Sequence, residues 1–75
     1  MGKTRKTARV ADTARAEVRK LREKRGLSQR QAAVILGVRQ ARLCELESGA
    51  RPMTLRSIQL VADGYGVPVR VIFGR

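Results

Sequence analysis

Glycines at positions 26, 37, 49, 64 and 66 punctuate the chain, and between them apolar residues recur at spacings of three and four. That combination restricts the fold to short helices joined by tight turns. Ala14, Val18 and Leu21 form one apolar stripe on a helix over about 13–24, with Asp12 as its N-cap. Arg15, Arg19, Lys20, Arg22 and Lys24 fall on the other face. Gly26 stops this helix, because the position after a helix end takes a left-handed conformation that only glycine adopts without cost, and Leu27 supplies the hydrophobic contact that follows. Ser28 with Gln31 three residues later is a capping box, so a second helix starts there and runs over 29–36, burying Ala32, Ala33 and Leu36.

Gly37 ends the second helix and Val38 is the apolar residue of a tight turn. A third helix covers 40–48 with Leu43 and Leu46 inward, and Gly49 closes it. Arg51-Pro52 reads as loop, and Thr54 caps a fourth helix whose inward stripe is Leu55, Ile58, Val61 and Ala62. Gly64 and Gly66 break that helix around Tyr65, so its end is expected to fray. The tail supports two readings. Pro68 in a first helical turn, with Val69, Ile72 and Phe73 inward, fits a fifth helix. Strict alternation of Val67, Val69, Val71 and Phe73 fits a β-strand instead.

A chain of 75 residues is one domain. One this short buries only about 60–65% of the surface it exposes when unfolded. The apolar tail therefore exceeds what the core needs, and Val69, Val71, Ile72 and Phe73, within a segment of about 67–75, are expected to form a homodimer contact. The first eleven residues hold Lys3, Arg5, Lys6 and Arg9 with no acid and no apolar period. They read as a disordered basic arm over 1–11 ahead of a folded domain over 12–75.

Charge and chemistry narrow the function. Lys and Arg total 17 against 6 Asp and Glu, a net charge of +11, which points to a polyanionic partner, nucleic acid or a membrane surface. With no histidine and one cysteine, Cys44, the chain offers no general base near neutral pH, no internal disulfide and no thiolate zinc site. The scattered carboxylates form no metal or glycosidase pair, and there is no glycine-rich phosphate loop. The chain is thus expected to be no enzyme and to use no metal, cofactor or small-molecule ligand. Its longest apolar run, Ala32 to Leu36, cannot span a bilayer, and the basic N-terminus lacks the apolar stretch of a secretory signal. The first helix has too little apolar bulk, and no aromatic anchor, for a membrane surface. A soluble, cytoplasmic protein is expected, with Cys44 as a small packing residue.

The stretch 28–49 has a physical reading of its own. Two short helices meet through a glycine turn, small Ala33 allows close approach, and the second helix presents a polar outer face. A helix about 10–12 Å across fits a B-DNA major groove about 12 Å wide. This is the geometry of a helix-turn-helix.

Read in order, Leu21 to Gln29, Ala33, Leu36-Gly37-Val38, Leu43, Leu46 to Gly49, Leu55, Ile58, Val61-Ala62 and Gly66-Val67-Pro68 resemble the lambda-repressor/Cro-like, or XRE, family over about 15–73. The resemblance implies an all-α domain of four to five helices, a helix-turn-helix at about 29–48, a homodimer and binding to double-stranded DNA. Its C-terminal segment is then either a fifth helix or, as in some antitoxins of the family, a β-strand pairing with its twin across the dimer. It places Arg39, Gln40, Ala41, Arg42 and Glu45 toward base edges, and Gln29, Arg30, Ser48 and Arg51 against phosphates. It makes Arg22 and Glu47 a pair that ties the first helix to the recognition helix. Arg39 departs from the family's usual Ser or Thr cap, which costs about 0.5–2 kcal/mol and would be explained by a guanine or phosphate contact.

The function these features imply is a bacterial or phage transcriptional regulator, a homodimeric repressor that occupies a promoter at an inverted repeat. A second reading adds a toxin protein as partner, making the chain an antitoxin that regulates its own operon. A third, resting on charge alone, is a non-specific nucleoid or RNA-binding protein.

Overall fold

The computed structural model describes residues 2–73, with side chains from residue 11 onward. Five helices follow one another: α1 (Gly2–Lys24), α2 (Gln29–Leu36), α3 (Gln40–Ser48), α4 (Leu55–Tyr65) and α5 (Val69–Ile72). No strand occurs among the described residues, so the tail takes its helical alternative. Pro68 stands at the N-cap of α5 in extended conformation, and the fixed ring torsion favours the turn that follows.

The helix boundaries arise from local chemistry. Ser28 Oγ accepts from the Gln31 N–H at 3.1 Å and Gln31 Oε1 accepts from the Ser28 N–H at 2.9 Å, completing the capping box of α2. At the other end Gly37 adopts φ 70°, and the following Val38 N–H donates back to Ala33 O at 3.0 Å. That bond closes the turn and aims α3 across α2. Thr54 Oγ1 accepts from the Ser57 N–H at 3.1 Å and starts α4. Arg39 caps α3 in position only, since its side chain makes no capping bond.

The core joins all five helices. Ala14, Val18 and Leu21 of α1 meet Ala32, Ala33 and Leu36 of α2, Leu43 of α3, Ile58, Val61, Ala62 and Tyr65 of α4, and Ile72 of α5. Leu46 of α3 is also fully buried. Leu27 and Val38, the apolar residues beyond two helix ends, pack against this layer.

Several sequence expectations are corrected. The backbone of the expected disordered arm is helical from Gly2, and Asp12 lies inside α1 rather than at its cap. The reason is propagation: no Gly or Pro interrupts residues 3–25, and a helix already nucleated by packing at Ala14–Leu21 can extend through a stretch that mixes Lys, Arg and Ala with weaker formers such as Thr and Val. The side chains of Lys3, Arg5, Lys6 and Arg9, and the last two residues of the expected 67–75 segment, lie outside the described residues. Leu55 is 77% exposed, not inward. Helix side chains tilt toward the N-terminus, so at the first residue of α4 this one projects past the packed layer.

The end of α4 does not break at Gly64 either; it continues to Tyr65 and stops at Gly66. Gly64 is a contact point, where a β-carbon would collide with the Leu36 side chain and stand 3.4 Å from the Leu36 Cα. Absence of a side chain is what lets α4 lie on the end of α2. Tyr65 is buried, with the Arg25 guanidinium 5.0 Å from its ring centroid and its carbonyl accepting from Arg25 Nη2 at 2.9 Å.

Candidate nucleic-acid interface

The unit α2–turn–α3 is held against α1 by one ionic network. Arg22 Nε donates to Glu47 Oε2 at 2.8 Å and Arg22 Nη2 to Glu47 Oε1 at 3.1 Å, a two-pronged match of guanidinium to carboxylate. The remaining Arg22 Nη1 donates to Leu27 O at 2.9 Å, and Gln29 Nε2 donates to Glu47 Oε1 at 3.1 Å. Three helices and one turn thus share two side chains that are 13% and 5% exposed. The Glu47 hydrogen bond raises the Arg22 guanidinium pKa above its ordinary value against the opposing effect of burial.

Arg15 supplies a second clasp that the sequence did not reveal. Its Nη1 donates to Leu46 O at 2.8 Å and to Arg51 O at 3.1 Å, joining α1 to the end of α3 and to the loop beyond. The last carbonyls of a helix have no partner of their own and carry its negative dipole end, so a cation is favoured there. In the sequence Arg15 is simply one of five basic residues on the polar face of the first helix, and its acceptors are main-chain groups without any residue signature.

The outward face of α3 then presents the residues expected at base edges. Arg39, Gln40 and Ala41 are exposed, and Arg42 and Glu45 are half-buried. Arg39, Ala41, Arg42, Glu45 and Arg51 line one cleft with Gly37 and Val38. The buried Arg42 Nε has no partner among the described residues. Glu45 is not free: its Oε1 accepts from Arg51 Nε at 3.0 Å and from Arg51 Nη2 at 2.8 Å.

Of the residues expected at phosphates, Arg30 is exposed beside the N-terminus of α2. Gln29 gives its amide N–H to Glu47, leaving the main-chain N–H groups of the helix start as the anion-facing donors. Ser48 Oγ donates to Glu45 O at 3.4 Å and accepts from the Ala50 N–H at 3.4 Å, which ties it to its own helix end. Cys44 is a correction: it is exposed and borders a shallow depression with Arg19, Arg22, Gln29, Glu47 and Ser48 rather than packing inside. It lies one position from the Leu43 side of α3, outside the buried stripe of Leu43 and Leu46.

The expected dimer residues divide. Ile72 is fully buried in the chain's own core, where α5 meets α1 and α4. Val69, Val71 and Phe73 pack against the core while remaining partly exposed. Among the described residues no helix is long and apolar enough to cross a membrane, and no group of three or more His, Cys, Asp or Glu could hold a metal ion.

A capped helix, a glycine turn and a second helix clamped by Arg22–Glu47, inside a five-helix domain, define a helix-turn-helix protein. The family model described as HTH_3, helix-turn-helix, matches residues 18–72, and the chain belongs to that family. Among solved structures it is similar to an HTH_3 family transcriptional regulator from Vibrio cholerae, with 26% identity and a TM-score of 0.78 over 87% of this chain. The match covers 36% of that regulator, so this chain spans little more than a third of its length. A comparison with curated proteins returns no match.

Proposed function

We propose that this protein is a sequence-specific double-stranded DNA-binding transcriptional regulator, acting as a homodimeric repressor that occupies a promoter at an inverted repeat. The observation that carries this reading is the outward face of α3. Gln40 and Arg39 stand free at its start, on a helix fixed from behind by Arg22–Glu47 and Arg15, in a chain of net charge +11. Amide and guanidinium groups at that position suit adenine N6/N7 and guanine O6/N7, while Arg30 and the α2 N-terminus suit the flanking phosphates. The partly exposed Val69, Val71 and Phe73 support an interface with a second copy across a two-fold axis, without Ile72.

Selection of bound duplexes from a random pool tests the reading. A homodimeric reader enriches a short sequence with two half-sites about one helical turn apart, and the protein sediments as a dimer. Binding without enrichment, falling steeply with salt, would instead support a charge-driven nucleoid protein.

A further inference from the structure

We propose that Glu45 and Arg51 act as one conditional unit, in which Glu45 withholds Arg51 from phosphate until the base edge offers an amino group. The proposal deepens the DNA-binding reading and rests on it. Both Arg51 donors, Nε and Nη2, converge on the single oxygen Glu45 Oε1. Neither of these bonds uses the second oxygen, Oε2, and Glu45 lines the outward cleft with Arg39, Ala41 and Arg42. The loop behind is fixed, because the Arg51 N–H donates to Glu45 O at 3.2 Å and Arg51 O accepts from Arg15. Only the Arg51 side chain is left to swing.

The two side chains are 47% and 42% exposed, and an ion pair this open is broken at a cost of about five-fold in population or less. Breaking it on DNA has a further condition. Glu45 follows Ala41 by one helical turn on the groove-facing side, so a released carboxylate meets base edges and, beyond them, phosphate charge. Cytosine N4 offers it a donor, and so does adenine N6; guanine O6/N7 and thymine O4 offer only acceptors. With a donor present, Glu45 is satisfied by the base and Arg51 moves to phosphate. With acceptors alone the exchange leaves Glu45 unpaired among like charges, so the pair persists and the phosphate contact is not made. A contact that is elsewhere indifferent to sequence becomes dependent on the base beside it.

The test uses the full chain, one duplex enriched by it from a random pool, and one random-sequence duplex, with affinity measured across salt concentration. The log–log slope on the enriched duplex should exceed that on random DNA, and Arg51→Ala should lower it there by about 0.9 per protomer while lowering the random-DNA slope by clearly less. Glu45→Gln should strengthen random-DNA binding about two- to five-fold, and that gain should vanish when Arg51→Ala is also present. Equal slope losses from Arg51→Ala on both duplexes, or the same gain from Glu45→Gln with and without Arg51, would overturn the proposal. Should Arg51→Ala lose helical circular dichroism, Arg51→Gln supplies the same comparison. Failure to enrich any duplex would instead defeat the DNA-reading function itself.

Discussion

Glu47 takes three side-chain hydrogen bonds, two from Arg22 and one from Gln29, with 5% of its side chain exposed. Removing it leaves a mostly buried guanidinium without its counter-charge, and such losses cost about 3–5 kcal/mol. Glu47→Ala should therefore lower the denaturation midpoint by far more than any substitution at exposed Glu23, as urea unfolding would show. Tyr65 presents the opposite case. Its buried hydroxyl has no partner among the described residues, so Tyr65→Phe should stabilise the fold by about 1 kcal/mol, or raise Tm by about 4–8 °C. Burial also pushes its phenol pKa up. A raised folded-state value means the neutral phenol's contribution is complete below the unfolded pKa of about 10 and is lost as pH climbs through the folded one. The alkaline fall in stability should be shallower in Tyr65→Phe. At this scale the Arg22–Glu47 pair was legible through resemblance, whereas Arg15 was not, because its partners are carbonyls. Cys44 was misplaced because residue type alone does not say which side of a helix buries a group.

At the scale of elements, four helix starts and stops could be read from caps and glycines, since Ser28, Gln31, Gly37, Gly49 and Thr54 act through neighbours in sequence. What failed was anything decided by neighbours in space. Gly64 read as a breaker because its partner, Leu36, is on another helix. The usual Gly→Ala exchange inside a helix gains up to about 1 kcal/mol. Here Gly64→Ala should destabilise by about 1–3 kcal/mol, because buried Leu36 must move aside. A thermal melt decides the sign, and a raised Tm would mean that α2 and α4 are not pressed together. The tail's alternation was ambiguous for the same reason: Ile72 settles it by filling the gap between α1 and α4, which a strand would leave open.

The molecule as a whole combines a small packed domain with a helical extension, since α1 begins at Gly2. That extension carries cations at Lys3, Arg5, Lys6 and Arg9. Deleting residues 2–9 should weaken binding to every DNA sequence alike. The salt slope should flatten by about 0.9 for each phosphate that the extension neutralises in the intact protein. An unchanged slope would make the extension a bystander.

The central claim is that the face of α3 reads bases, and Gln40→Ala tests it most directly when set beside Arg30→Ala. Gln40 is exposed at the first residue of α3, and Arg30 is exposed at the anion-facing end of α2. Affinities of both variants would be measured on the enriched duplex and on random DNA at one salt concentration. Gln40→Ala should lose about 1–3 kcal/mol on the enriched duplex and almost nothing on random DNA, since a bidentate base contact discriminates by that much. Arg30→Ala should weaken both duplexes together. Equal losses on both duplexes from both substitutions would contradict sequence reading by α3 and leave charge as the only determinant of binding.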